Sequence, residues 1–259
     1  MSKINKVRYL DKKVAKLTID FSAQRAIDSA YTFDAADISD AADTITITNH
    51  PYKLGDQVAC VLTAATGSTP TVPNATVAVV YYVIYVDQNT IALATSLALA
   101  KAGTKTALTA GTAVDAYLQR DCFGLMTSDL VIPLGSVVTK VWYDVITTCV
   151  SWDEAWGAGN GDAATMSMGI NSAVDVMAAI SIADATSDVW DAGEHATLIG
   201  TPILGLEAAH DTALELIELE NAKMIKTTAD VSFNYTIAVD PISVGKIDVY
   251  VEYLPPSFA

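Results

Sequence analysis

Two long segments alternate apolar and polar residues with a period of two, and this pattern constrains the fold of the chain more than any other feature. Residues 137–150 read VVTKVWYDVITTCV, and residues 246–254 read KIDVYVEYL. Successive side chains of a β-strand point to opposite faces of a sheet, so each segment predicts a strand with one buried face. The second segment stops at Pro255, because proline has no backbone N–H to donate within a sheet.

The rest of the chain shows mainly strand signals. β-Branched and apolar segments recur between turns rich in Gly, Pro, Asn and Asp, and they predict strands at residues 44–48, 57–62, 77–86, 90–95, 129–132, 164–170 and 231–237. A polar turn, Asp87-Gln88-Asn89, joins two of these segments into a predicted hairpin. Pro241 and Gly245 predict a further turn before the segment at residues 246–254. No regular alternation of strands and helices is visible, so the pattern predicts an all-β sandwich or barrel.

Two short segments do not follow this pattern. Residues 96–101 lack β-branched side chains, which favours a short helix. Residues 207–222 fit both the helical and the strand period, so both structures remain open there.

The low content of charged residues limits how much of the chain's surface can be exposed to water. Charged residues make up 17% of the sequence and apolar residues 51%, whereas about a quarter of the residues in an average soluble domain are charged. Such a chain either buries a large core or has much of its surface covered by neighbouring subunits. Composition also shifts near residues 36 and 118. We therefore predict a basic arm and first strand of the main domain at 1–36, a small inserted β module at 37–117, and the main β-sandwich domain at 118–259.

Charge is distributed unevenly along the chain. Residues 1–16 contain six basic residues and one acidic residue, whereas the remaining part carries nine basic and 29 acidic residues. An acidic body repels nucleic acid, so we expect no nucleic-acid partner. The basic arm is a candidate contact with an acidic partner, and a solvated, frayed terminus is the alternative. The candidate contact residues are Lys3, Lys6, Arg8, Lys12 and Lys13.

Neither a membrane nor an oxidising compartment is indicated. The longest apolar run, residues 77–86, is about half the length of a membrane helix. No apolar run follows the first residues, so we expect no secretory signal. The three cysteines, Cys60, Cys122 and Cys149, are odd in number and show no CxxC spacing. They are interpreted as small buried hydrophobic residues in a reducing compartment.

Residue patterns of known catalytic sites are missing from the sequence. The three histidines, His50, His195 and His210, do not have the spacing of a metal site. There is no GxSxG nucleophile elbow and no phosphate-binding loop. We therefore predict a non-enzymatic protein with no cofactor and no metal.

Two groups of acidic residues are candidate binding sites. Asp34, Asp37, Asp40 and Asp43 recur every three residues, and converging carboxylates could hold Ca²⁺, although a polar linker at the module boundary is the favoured interpretation. A second group contains Trp152, Asp153, Glu154 and Trp156 on a wide loop. Aromatic and acidic side chains on a loop favour either contact with a neighbouring subunit or binding of a ligand such as a sugar.

Several motifs resemble β-sandwich virion proteins of tailed phages. The segment VIPLGSVVTKVWYDVIT contains a strand entry formed by Ile132, Pro133, Gly135, Ser136 and Val138. The segments TMSMGI and GKIDVYVEYLP continue the resemblance, and the latter ends on Val249, Val251, Glu252 and Tyr253. Residues 42–96 resemble small β repeats of phage structural proteins, through the TIT strand, the GDxV turn and the YYVIYVDQNTIALATS hairpin.

This resemblance implies a fold and a role without implying any catalytic residue. The implied fold is a jelly-roll-like β-sandwich with a smaller inserted β-barrel-like module, often trimeric. The implied place is the capsid or tail surface, and we expect a capsid decoration or head-fibre protein that binds the major capsid protein or another virion protein. The virion would be its location, after assembly in the host cytoplasm. A receptor-binding, carbohydrate-binding module of a tail or fibre is the alternative.

Overall fold

A computed structural model describes residues 12–62, 79–108, 116–151, 164–182, 189–198 and 225–256 of the chain. Its described residues form mainly antiparallel β-strands, which confirms the predicted all-β class. The strands are β1 (Lys13–Asp20), β2 (Ile38–Ser39), β3 (Thr44–Thr46), β4 (Gln57–Leu62), β5 (Tyr81–Asp87), β6 (Thr90–Ala94), β7 (Ala116–Arg120), β8 (Gly124–Ile132), β9 (Val137–Ser151), β10 (Thr165–Gly169), β11 (Met177–Ser181), β12 (His195–Leu198), β13 (Ile225–Lys226), β14 (Val231–Ala238) and β15 (Ile242–Leu254).

Two helices accompany these strands, α1 (Phe21–Asp28) and α2 (Leu97–Lys101). Helix α2 confirms the short helix predicted at residues 96–101, and Ser96 caps it by accepting a hydrogen bond from the Leu99 amide. Helix α1 was not predicted; Asp20 caps it by accepting from the Ala23 amide. In the part of the chain that the structure describes, no helix has the length and apolar character needed to cross a membrane.

Two sheets pack face to face to form a sandwich. Sheet I has the order β1-β15-β9-β12, with β13 also paired to β9, and sheet II has the order β11-β10-β14-β8. Alternate residues along the strands of both sheets are buried and form one core, as expected when one face of each sheet is covered by the other sheet. Val141, Tyr143 and Val249 enter it from sheet I, and Met166 and Phe233 enter it from sheet II.

The strand pairs of the sandwich are nested. When the sandwich strands are taken in chain order from both ends, the first strand, β1, pairs with the last strand, β15, and the next strand, β8, pairs with β14. Further inside, β9 pairs with β12 and β10 pairs with β11. The jelly-roll description stays a prediction, and this nested pairing favours it.

A third sheet forms a smaller module between β1 and β8. Its order is β2-β3-β6-β5-β4-β7, and β5 and β6 form the predicted hairpin. Phe33, which lies just before β2, bridges to Ala116 in the edge strand β7 at the opposite side of the sheet. The two edges therefore approach each other around a separate core that includes Phe33, Ile45 and Val83.

Buried polar contacts hold the module against the sandwich. Asp28 of α1 is fully buried and accepts from Arg120 of β7 through the guanidinium Nε (3.0 Å) and Nη2 (2.7 Å) and through the backbone amide (2.8 Å). Gln57 donates to the Phe123 carbonyl at 2.6 Å, and Gln119 donates to the carbonyls of Ile242 and Ser243. Because paired, desolvated polar groups have few alternative partners, these contacts fix the module in one orientation.

One local prediction was wrong. The sequence predicts a turn from Pro241 to Gly245, but β15 already begins at Ile242 and contains irregular pairing around Gly245. Gly245 has a φ of +138°, and a Cβ there would lie 2.6 Å from the Cys149 Sγ. Glycine is therefore required by a close approach inside the sheet. The undecided segment 207–222 lies outside the described residues.

Candidate subunit-binding surfaces

The structure describes only part of the predicted basic contact arm. Lys3, Lys6 and Arg8 lie outside the described residues, and Lys12 and Lys13 lie at the start of β1, which is an edge strand. Lys12 forms an ion pair with Glu252 of β15, with 2.8 Å between Nζ and Oε1. The charge of Lys12 thus already has a partner within the chain, whereas Lys13, opposite Tyr253, is exposed.

The outward side of sheet I, called here the charged face, carries a ladder of ion pairs between β1 and β15. Lys16 pairs with Asp248 at 2.7 Å, and Lys246 pairs with Asp20 at 2.9 Å. Burial opposes ionisation of Asp248, but hydrogen bonds from Lys16 and Thr18 outweigh it and hold the pKa of Asp248 below its ordinary value. The cross-strand charges neutralise one another, which suits a face that lies in water.

Hydrogen bonds from lysines lower the pKa of two further carboxylates on this face. The hydrogen bond from Lys246 lowers the pKa of Asp20. The hydrogen bond from Lys12, and to a smaller extent the one from Thr139, lowers the pKa of Glu252. Each of the three acids is thus stabilised in its ionised form by the fold.

An aromatic stack lies at the centre of the charged face. The rings of Trp142 and Tyr250, which are opposite each other on β9 and β15, stack with 5.1 Å between centroids. The Lys16 ammonium lies 5.5 Å from the Tyr250 ring, and the Lys140 ammonium lies 5.1 Å from the Trp142 ring. The rings thus already contact each other and two cations, which leaves little open ring face for a sugar.

The outward side of sheet II, called here the uncharged face, has a different composition. Asp129, in an irregular section of β8, is the sole charged side chain of β8, β10, β11 and β14. Because the alternate residues enter the core, the outward positions are Thr165, Ser167 and Gly169 of β10, Ser232, Asn234, Thr236 and Ala238 of β14, and Leu125, Thr127 and Val131 of β8. Ser167 and Gly169 are already buried within the chain, so the exposed part of this face is formed mainly by Leu125, Thr127 and Val131 of β8.

Exposed apolar side chains lie at the border of the uncharged face. Leu125 and Val131 are each about half exposed on the edge strand β8. Val239, in the turn after β14, is also exposed and has a φ of +71°. A β-branched residue rarely adopts that conformation, so the fold holds an apolar side chain outward at some conformational cost.

A second apolar surface lies on the module around α2, and it is called here the α2 surface. It consists of Leu54, Val86, Leu97 and Leu99, all of them exposed. Helix α2 buries only Ala100, which packs against Ile84, Ala92 and Ala94 of the module sheet. Leu97 Cδ1 lies over Gly55, where a Cβ would come within 2.9 Å. The helix therefore directs both of its leucines to the outside.

The other predicted sites are only partly visible. Trp152, Asp153, Glu154 and Trp156 all lie outside the described residues. In the acidic run, Asp34 and Asp37 accept hydrogen bonds from backbone amides in a 3₁₀ turn, Ala35–Asp37, and Asp43 accepts from the Leu108 amide. Within the described ranges, no group of three or more acidic, histidine or cysteine side chains has the arrangement of a metal site.

The three cysteines form no disulfide bond with one another. Cys122 and Cys149 are buried, as predicted, and Cys60 is partly buried. Burial, reinforced by the nearby charge of Asp121, raises the pKa of the Cys122 thiol. Cys122 is therefore a packing residue and a poor nucleophile.

Comparisons with known proteins give one weak structural neighbour. No protein-family model matches the chain, and no curated protein matches it. A chain from the acid-stable capsid of Helicobacter pylori bacteriophage KHP30 aligns with 52% of this chain and 86% of its own length, at 14% identity and a TM-score of 0.30.

Sequence reasoning missed the surfaces that the fold assembles. The signal for the uncharged face was present, because the polar positions of TMSMG and VSFNYTIA carry no charge. The α2 surface had a weaker signal, namely two leucines in a helix too short to bury both.

Proposed function

We propose that the protein is a non-enzymatic structural component of a phage virion, a capsid decoration or head-fibre protein that binds the major capsid surface as an oligomer. The phage assignment depends on the sequence motifs around Ile132, Gly135 and Glu252, and on the module repeat at residues 42–96. The structure supports a packing role through its exposed apolar surfaces. The location is then the virion, assembled in the host cytoplasm.

The observation that carries the proposal is the α2 surface. Leu97 and Leu99 are 39% and 38% exposed, and they lie on a helix whose single buried residue is Ala100. Leu97 and Leu99 are two residues apart and point to different sides of the helix, but Leu97 lies over Gly55, next to the exposed Leu54, and such grouped leucines indicate a protein contact. The module is fixed on the sandwich by Asp28 and Arg120, so it presents this surface in a constant direction.

The charges beside the α2 surface balance one another. The exposed Lys53 and Lys101 lie near Leu54 and Leu99 in the sequence, and Asp56 and Asp87 lie comparably near Leu54 and Val86. The chain itself has a net charge of −15, so the α2 surface is less acidic than the molecule as a whole and repels an acidic shell less. We assign the α2 surface to the capsid shell, and the basic arm with Lys3, Lys6 and Arg8 to the same acidic partner.

The experiment is co-sedimentation of the purified protein with capsid shells of its phage that were assembled without it. The double variant Leu54→Ser, Leu97→Ser is expected to lower shell affinity at least about tenfold, since each buried leucine side chain contributes about 1.5–3 kcal/mol. The matched control is Leu134→Ser, which removes a leucine as exposed as Leu54 from a turn of the sandwich and is expected to bind normally.

Two results would contradict the proposal. The first is failure of the unmodified protein to bind shells. The second is binding of defined oligosaccharides on a glycan array that is lost in Trp152→Ala, Trp156→Ala, because that result would establish the carbohydrate-binding alternative.

A further inference from the structure

We infer that Arg120 is a positioning residue for shell binding, because its guanidinium connects helix α1 on the sandwich to the turn of the module that carries Leu54. Arg120 thereby sets the direction in which the α2 surface faces. This inference rests on the proposed function, since it assigns the residue that orients the surface proposed to bind the shell.

The module and the sandwich have separate apolar cores in the described residues. The buried apolar cluster of the sandwich and the two clusters of the module share no residue. Two units joined in this way move relative to each other unless specific contacts prevent it. The direction of the module therefore depends on the polar contacts at the joint.

Helix α1 supplies the sandwich side of the joint. Phe21, in its first turn, is buried in the core of the sandwich, and its ring meets the Tyr235 ring edge-on with 6.5 Å between centroids. Ser22 Oγ accepts a hydrogen bond of 3.0 Å from the Gly245 amide of β15. The sandwich thus holds the start of the helix, and the end of the helix presents the fully buried Asp28 to the module.

Arg120 of β7 joins this helix to a turn of the module. On one side, its Nε and Nη2 donate to one oxygen of Asp28, and its backbone amide donates to the other oxygen. On the other side, its Nη1 lies 3.9 Å from Asp56 Oδ2. Asp56 closes the turn by accepting a hydrogen bond of 2.8 Å from the Lys53 amide. The guanidinium therefore bridges the sandwich helix and this turn.

The turn that Arg120 contacts is part of the α2 surface. It contains the exposed Leu54 and also Gly55, over which Leu97 Cδ1 lies. The Gly55 amide donates to the Val83 carbonyl, which ties the turn to the module sheet. Contacts therefore run without a gap from the sandwich core, through α1 and Arg120, to the leucines proposed to meet the shell.

The chemistry of the buried pair suits orientation better than stability. Removing Asp28 and Arg120 from water costs about as much as their attraction returns, and apolar residues of similar size often replace such a pair without loss. The N–H groups of a guanidinium have fixed directions, so the pair determines an angle as well as a distance. A module held at one angle does not have to be ordered when it meets the shell, which favours binding.

The test measures the direction of the module and the shell affinity in the same variants. Spin labels at Thr104→Cys on the module and Thr147→Cys on the sandwich, both exposed positions, report the distance between the two units by double electron–electron resonance. A preparation without the two added cysteines gives the background from the native thiols. With Arg120 intact, we expect one narrow distance distribution.

Arg120→Lys keeps the charge but loses the fork of N–H groups. It is expected to broaden the distance distribution and to lower shell affinity at least about threefold, because binding must then order the module. The matched control is Asp248→Asn, which also removes a charged hydrogen bond but lies on the charged face. It is expected to change neither the distribution nor the affinity.

An unchanged distance distribution in Arg120→Lys would overturn the inference, and so would full shell affinity in a variant whose distribution is broadened. If Arg120→Lys fails to fold, as judged by circular dichroism, Asp28→Asn replaces it and is held to the same two outcomes. Failure of the protein with intact Arg120 to bind shells, together with a distribution that Arg120→Lys broadens, contradicts the proposed function and leaves Arg120 as the residue that directs the module.

Discussion

The two sheets of the sandwich share one core but present opposite surfaces. The outward side of sheet I carries ion pairs such as Lys16–Asp248 and Lys246–Asp20, in which both partners belong to the same chain. Sheet II has a near-neutral outward side bordered by Leu125 and Val131. The inward sides of both sheets are apolar and alternate in the same way. The difference shows that the alternating inward residues specify the sandwich, whereas the outward positions give each sheet a different surface.

The largest expected effect on stability comes from a charge placed at a buried position on the outward side of sheet II. Ser167 is 5% exposed, so Ser167→Asp buries a carboxylate without a cationic partner and is expected to cost about 3–5 kcal/mol of unfolding free energy. The control is Thr147→Asp on sheet I, opposite Lys246, which is expected to change stability by less than about 0.5 kcal/mol. Urea unfolding measures both, and equal losses in the two variants would break the comparison.

Acid is expected to loosen sheet I and to leave sheet II largely unaffected. The pKa values of Asp20, Asp248 and Glu252 are lowered in the folded protein. The stabilisation they provide is complete above their unfolded pKa values of about 4 and is lost as the pH falls through the lower folded values. Amide hydrogen exchange, corrected for intrinsic rates, should show that the protection of β1 and β15 falls as the pH is lowered from about 6 to below about 4.

The same exchange experiment contains its own reference. Strands β10 and β14 have no ionisable acid or base that titrates in this range, so their protection should hold. A parallel loss of protection in both sheets would show that the ion pairs of sheet I do not stabilise it selectively.

A smaller effect is expected from one of these carboxylates alone. Asp248→Asn keeps the shape but removes the charge that Lys16 and Thr18 contact at 2.7 and 2.6 Å. A loss of about 1 kcal/mol is expected, in the range of a hydrogen bond to a charged group at a partly exposed site. Thermal unfolding measures this loss. The opposite substitution, Asn234→Asp on the uncharged face, adds a charge there and is expected to destabilise the protein as well.

The smallest expected effect concerns the predicted contact arm. Lys12→Ala removes an exposed ion pair with Glu252 and is expected to change stability by less than about 0.5 kcal/mol. A larger loss of stability would mean that Lys12 serves the fold of β1. A loss of shell affinity at unchanged stability would support its assignment as a partner contact.

The sequence predicted the strands better than the surfaces. The alternation in β9 and β15 identified both as strands, because the period of two is local to each segment. Their register, which places Trp142 beside Tyr250, depends on irregular pairing around Gly245 and could not be read from either segment alone. Lys12 was predicted as a free cation for a partner, because its ion-pair partner Glu252 is remote in the sequence.

The helices show the same limit. Helix α2 was predicted from its composition, whereas α1 was missed because its eight residues follow a strand directly and its Asp20 cap reads equally well as a strand residue. The uncharged face was missed for a different reason. Its residues come from β8, β10 and β14, and only the nested strand order places them side by side.

The most direct test of the account is the binding of the purified protein to capsid shells of its phage that were assembled without it. The account predicts saturable binding that the double variant Leu54→Ser, Leu97→Ser weakens at least about tenfold and that the control Leu134→Ser leaves unchanged. Failure of the unmodified protein to bind, or equal binding by the double variant, would contradict it.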